Sequence, residues 1–184
     1  EVKHLREYLD LVEKERTDGW RGESFGIAAL DSLLGGWRPG ELTVLSGDTG
    51  VGKSTFATYL ALRYAVRGFP VLTSNFELGS KDTARKMFFM AGDEVDIARA
   101  KEFLSALSVW LLDVYGETEL ARLRDAIYFA VRARRCKLVM LDHLHFIIGP
   151  PSSRDERELI GKAIRAIKTW AQELQIPFLL LAHP

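Results

Sequence analysis

One cysteine in 184 residues, Cys136, has no partner for a disulfide and cannot build a thiolate metal site, so both kinds of scaffold are excluded. No stretch approaches the roughly 18 consecutive apolar residues of a membrane-spanning helix, and no secretory leader is read at the start. Neither sign of charge dominates, since 25 basic and 25 acidic residues give a formal net charge of zero. The sum therefore does not advertise a nucleic-acid binder, although a local basic stripe would not register in it. Repeats and low-complexity segments are absent as well. What is present is ordinary: 47% hydrophobic and 27% charged residues, one domain's worth of chain, long enough to bury a core. A reducing interior, the cytoplasm, is the default compartment. The chain opens on Glu1 and stops at Pro184 just after an apolar run, and it reads as a fragment with material missing at both ends.

The most informative stretch is Gly47-Asp48-Thr49-Gly50-Val51-Gly52-Lys53-Ser54, followed by Thr55, which fits the phosphate-cradling pattern G-x-x-x-x-G-K-[ST]. Its context fits too: residues 41–46 read as a short buried strand running in, and Ser54 to Leu62 as a helix running out. Glycines let backbone N–H groups turn inward around phosphate oxygens, and the helix N-terminus adds a partial positive charge. Lys53 can reach the β- and γ-phosphates, and the Ser54 hydroxyl can ligate Mg²⁺. The pattern predicts binding of a nucleoside triphosphate.

Val2, Leu5, Leu9 and Val12 recur at helical spacing and predict an amphipathic helix within residues 1–16, ahead of a domain over 17–184. A polar linker from Thr17 to Ser24 separates the two. Phe25 to Leu34 reads as a short helix ended by Gly35-Gly36. After it, strands at 71–76, 109–114, 138–142 and 178–182 alternate with helices, one capped by Ser80 and running to about Met90, one over 117–134 and one over 155–174. Strands that are apolar throughout, each followed by a helix, predict an α/β fold whose parallel sheet is covered on both faces.

Several polar residues fall where such a sheet presents its ligand edge, beyond the carboxyl ends of the strands. Asp142 ends an apolar strand and can hold Mg²⁺ beside the loop hydroxyl; an ordinary strand-end acid is the alternative. Glu77 can orient and deprotonate a water attacking the γ-phosphate, or can serve only the dipole of the next helix. His183 can hydrogen-bond a terminal phosphate or can be structural. His143 and His145, spaced two apart with no further ligand cluster, do not make a metal site. The breaker-rich loop from Gly149 to Arg157 fits a solvent loop, a mobile switch, or a surface meeting nucleic-acid phosphates through Arg154 and Arg157.

Taken together these segments resemble the motor domain of ring-shaped, RecA-like replicative DNA helicases, from about Gly26 to Pro184. Leu34-Gly35-Gly36-Trp37-Arg38-Pro39-Gly40-Glu41 is similar to that family's lead-in to its P-loop. Phe76-Glu77-Leu78 is similar to the segment bearing its catalytic glutamate, and Leu141-Asp142-His143-Leu144-His145-Phe146 to its Walker B block. A histidine at position 183 makes the chain more similar to Twinkle and phage primase-helicases than to bacterial DnaB, which carries glutamine there. The resemblance implies that Lys53 and Ser54 bind phosphate and Mg²⁺, that Glu77 activates water, and that Asp142 organises Mg²⁺. It also implies that His183 senses the γ-phosphate, that ATP is the nucleotide, and that the loop after Gly149 faces a channel holding single-stranded DNA. A hexameric ring, with primase or polymerase as partners and the N-terminal helix docked on a neighbouring subunit, is implied as well, and for a Twinkle-like protein a mitochondrial matrix location. The family's arginine finger would lie beyond His183. Two rival readings are a RadA- or KaiC-like ATPase, disfavoured by the spacing from Asp142 to His183, and a nucleotide-binding assembly module, which would not need Glu77.

Overall fold

The structure, a computed structural model, describes residues 4–17, 22–92, 96–113, 120–143 and 156–183. Its contacts divide it into two compact units, residues 1–38 and 39–184.

The first unit holds helices α1 (Arg6–Thr17) and α2 (Ala28–Leu34). Leu9 and Val12 of the expected apolar stripe lie on α1 and Leu5 just before it, all three exposed, while Val2 lies outside the described residues. α2 begins at Ala28 rather than Phe25, because Asp31 holds the entering chain extended. Its carboxylate accepts the Phe25 N–H and the Ser24 hydroxyl, both at 2.6 Å. Gly35 ends the helix in the left-handed region at φ 78° and returns its N–H to the Asp31 carbonyl at 2.9 Å. Gly36 follows at φ +88°, where a Cβ would lie 2.7 Å from the Glu23 carbonyl oxygen, so only glycine fits. Trp37 then exchanges two backbone hydrogen bonds with Glu23, at 2.6 and 2.9 Å, and its buried ring packs 4.4 Å from that of Phe25.

The second unit is a five-stranded parallel sheet in the order β1-β5-β4-β2-β3, formed by β1 (Leu42–Ser46), β2 (Val71–Asn75), β3 (Val109–Leu111), β4 (Leu138–Asp142) and β5 (Phe178–Ala182). Every residue of β2, β4 and β5 is buried, as strands in the middle of a doubly covered sheet should be, including the polar Thr73, Ser74 and Asn75 of β2. Leu72, Val139, Leu141, Phe178 and Leu180 form one core with α6 (Leu120–Ala133) and α7 (Glu156–Leu174), through Leu123, Ile127, Ala163, Ile167 and Trp170. The alternate strand residues face the other way, toward α3 (Lys53–Val66). Helices α4 (Gly79–Ala91) and α5 (Ile97–Ser105) complete the described elements.

Three details depart from expectation. α4 starts at Gly79 after Leu78, so Ser80 lies inside the helix and does not cap it; its hydroxyl is buried and has no hydrogen-bond partner. α5 is an element the sequence pattern did not indicate, capped by the Asp96 carboxylate, which accepts the Arg99 N–H at 3.0 Å. β3 ends at Leu111 instead of reaching 114.

Candidate nucleotide site

The parallel register brings the site together. β1 and β5 pair so that Ser46 lies opposite Ala182, and β2 and β4 so that Asn75 lies opposite Asp142. The loop after β1, the turn after β2, the end of β4 and His183 after β5 therefore share one edge of the sheet, the edge where open α/β folds bind ligands.

The loop from Gly47 turns back through Gly50 and Gly52, at φ +83° and +94°, before α3 starts at Lys53. A Cβ at either glycine would meet nothing within 4 Å, so it is the backbone conformation and not space that demands glycine. The Lys53 ammonium is folded back over the loop. It donates to the carbonyls of Gly47 and Asp48 at 2.5 and 2.8 Å and lies 3.3 Å from Nδ1 of His183.

Behind Lys53 sits Asp142, buried at 8% exposure. Burial raises its carboxyl pKa above the usual range, and the neighbouring Glu77 charge pushes the same way. The Ser54 hydroxyl, which hydrogen-bonds it, and the ammonium groups of Lys86 and Lys53 act against that rise. Asn75 holds the carboxylate in place, donating from Nδ2 to Oδ2 at 2.9 Å. The same side chain uses its Oδ1 to accept the N–H groups of Glu77 and Leu78, at 3.1 and 2.7 Å. One amide thus fixes both the buried acid and the turn that presents Glu77. The Glu77 carboxylate reaches into the cleft with its Oε2 3.9 Å from Nε2 of His143, and the His143 ring meets His183 edge-on at 4.6 Å.

The resulting cleft of about 210 Å³ takes in the loop from Thr49 to Thr55 apart from Val51, with Glu77, Lys86, Asp142, His143 and His183. Gly47 and Asp48 contribute carbonyl oxygens to Lys53, and the Val51 side chain is exposed. The residues expected from the sequence to carry chemistry therefore converge. Three participants were not foreseen: Asn75, His143 as a neighbour of Glu77, and Lys86. Asn75 reads as a strand residue, within 71–76, and Lys86 shows itself only once α4 is laid across the site. His145 and the stretch from Gly149 through Arg154 lie outside the described residues; Arg157 is exposed near the start of α7. Among the described residues no cluster of three or more His, Cys, Asp or Glu side chains could cage a metal. Ser54 and Asp142 nevertheless fit Mg²⁺, which favours hard oxygen donors, keeps several waters and shares phosphate oxygens instead of needing a protein cage.

Comparison with known proteins finds relatives of the chain and of its fold. A family model described as AAA domain matches residues 12–184. A DNA helicase/primase of Enterobacteria phage T3 is 25% identical over 175 residues, spanning 86% of this chain and 31% of that protein. The replicative DNA helicase DnaB of Leifsonia xyli is 23% identical over 193 residues, spanning 95% of this chain and 42% of that protein. A solved DnaB-like replicative helicase, described with its interactions with primase, superposes with a TM-score of 0.84 at 16% identity over 100% of this chain and 49% of its own. The chain thus spans well under half the length of these curated relatives. No helix among the described residues is long and apolar enough to cross a membrane.

Proposed function

The chain belongs to the AAA domain family, and on that premise we propose that it is the ATP-hydrolysing motor domain of a replicative DNA helicase, translocating on single-stranded DNA and unwinding duplex. The observation that carries the reading is Asn75, which ties the buried Asp142 and the Glu77 turn into one constellation facing the P-loop lysine. A fold that only bound nucleotide would not need an acid held at that place.

In this reading the backbone N–H groups of residues 49–54 and the Lys53 ammonium hold the β- and γ-phosphates. Ser54 and Asp142 would hold Mg²⁺, which would supply charge neutralisation at the phosphate oxygens. Glu77 accepts a proton from the attacking water as the new O–P bond forms, the bond from the γ-phosphorus to the bridging oxygen breaks, and ADP leaves with that electron pair. His183 senses the γ-phosphate: as Lys53 turns from His183 toward that phosphate, the 3.3 Å contact is exchanged. His143, touching both His183 and Glu77, links the sensor to the base. Lys86 steadies the charge on Asp142.

The proposal extends to assembly and partners, and the solved DnaB-like helicase described with its interactions with primase supports the primase. The protein works as a homo-oligomeric ring, most simply a hexamer, with the loop from Gly149 to Arg157 facing the DNA channel and α1 docked on a neighbouring subunit. Primase or polymerase is its replication partner. It acts in the cytoplasm, or in the mitochondrial matrix if it is Twinkle-like. ATP turnover by the full-length protein with and without single-stranded DNA tests the reading. Turnover should rise several-fold with DNA; turnover indifferent to DNA would favour a RadA- or KaiC-like role in recombination or signalling.

A further inference from the structure

The end of the sheet opposite the nucleotide cleft carries an unbalanced charge. Five connections enter the strands there, and within residues 39–184 they hold Arg67 before β2, Arg134, Arg135 and Lys137 before β4, and a single acid, Glu41, before β1, next to Arg38 of the first unit. The four bases Arg67, Arg134, Arg135 and Lys137 gather on one half of the sheet, since β4, β2 and β3 are neighbours and β1 is the far edge. Backbone bonds draw these connections together: the Lys137 N–H donates to the Pro70 carbonyl at 2.7 Å and the Val71 N–H to the Ser108 carbonyl at 2.9 Å. In a chain of zero net charge, this is the local stripe that a sum conceals.

Aromatic rings accompany the charges. The Arg134 guanidinium lies 4.3 Å from the Trp110 ring and 5.7 Å from that of Phe129, and Arg67 lies 5.5 Å from that of Phe69. Phe129 is 59% exposed and Trp110 36%. Cations at helix C-termini can serve merely to offset the dipole, and α3 and α6 both end here. That role asks for one charge near each last turn, which Arg63 and Arg132 already supply. It gives no reason for large flat rings in water beside them. Glu173, the acid in the last turn of α7, is engaged by the Tyr128 hydroxyl.

We propose that this rim, built from Phe129, Trp110, Arg134 and Lys137, is a second nucleic-acid site that stacks bases of single-stranded DNA and pairs with its phosphates. A guanidinium laid flat on a ring keeps its N–H edge directed outward to phosphate oxygens, and an exposed ring stacks any base. An acidic polypeptide would use the charges but not the rings. The site rests on the helicase reading, yet is separate from the cleft.

The test measures oligo(dT) binding by the full-length protein, in the presence of a non-hydrolysable ATP analogue, across a salt series. Phe129→Ala should weaken binding about tenfold with the salt slope unchanged, the loss of one stacked base. Arg134→Ala with Lys137→Ala should make the slope shallower by about 1.4, two phosphate contacts on single-stranded DNA. Thermal melting and ring mass serve as controls, and ATP turnover without DNA should not change, as these positions are remote from the cleft. Wild-type affinity and slope in both variants would overturn the rim while leaving the helicase reading intact. A wild-type protein that binds no oligo(dT) would instead overturn the helicase reading, and the rim with it. If polyglutamate binding falls with the charges and DNA binding ignores Phe129, the rim is a surface for acidic protein and the proposal fails. Loss of ring mass in the variants would make it a subunit contact, and the proposal fails equally.

Discussion

Asp142 is the residue on which the site turns, and its burial has a cost that can be measured. A carboxyl whose pKa is raised on folding destabilises the fold wherever it is ionised. The penalty is fully present above the folded pKa and is relieved as pH falls through it. Asp142→Asn should therefore raise the melting temperature at neutral pH without Mg²⁺, by a margin that shrinks as the pH is lowered, and it should abolish Mg²⁺-dependent turnover. The asparagine can still accept from Asn75, so the geometry survives. A lower melting temperature at every pH would mean that the carboxylate is stabilising as an ion. Glu77 separates along another line. Glu77→Gln should keep ATP binding while turnover falls by roughly a hundredfold or more, the usual loss when a general base is removed. Near-normal turnover with a reduced melting temperature would assign Glu77 to the helix dipole instead. Burial also pushes the Cys136 thiol up to about 11. Because the thiolate is the reacting form, iodoacetamide at pH 8 should label native protein slowly and unfolded protein fast; fast labelling of native protein would contradict its place in the core.

The elements differ in how plainly the sequence announces them. β4 and β5 are legible because they are buried on both faces and hence apolar up to the site edge, β2 because its apolar start follows a Gly-Phe-Pro break, and α7 because its apolar stripe is long. β3 is an edge strand of three residues, and its pattern runs on past the pairing that defines it. α5 is short, with Ala100 its one buried residue, so periodicity gives it away poorly. The start of α4 was misplaced because Ser80 has the chemistry of a cap, but Asn75 already satisfies the N–H groups of the preceding turn. That tertiary choice is also why Asn75 escaped notice as a site residue. Lys53, Ser54, Glu77, Asp142 and His183 were legible because each sits at the end of a recognisable strand or loop. Lys86 was not, since its approach depends on how α4 packs. At this scale the Gly-Gly lead-in makes the sharpest prediction. Gly36→Ala must place a Cβ 2.7 Å from a carbonyl oxygen at φ +88°, and should destabilise by about 1–3 kcal/mol in chemical denaturation. An unchanged midpoint would show that the bridge between Glu23 and Trp37 is not required.

For the whole molecule, the proposal joins a cleft at one end of the sheet to work done on DNA elsewhere. The contacts that could carry the link start at the cleft itself: Lys53 against His183, His183 against His143, and His143 against Glu77. His143→Ala should leave ATP affinity close to wild type and uncouple turnover from DNA, lowering the DNA-stimulated rate toward the basal rate; full stimulation in that variant would remove His143 from the link. The central claim, that hydrolysis in this cleft drives unwinding, is tested most directly by strand displacement on a forked duplex with the full-length protein. Wild type should separate the strands only when ATP is supplied, and Glu77→Gln should bind ATP and DNA yet separate none. Unwinding by Glu77→Gln at the wild-type rate, or none by a wild type that hydrolyses ATP and binds the fork, would contradict the account.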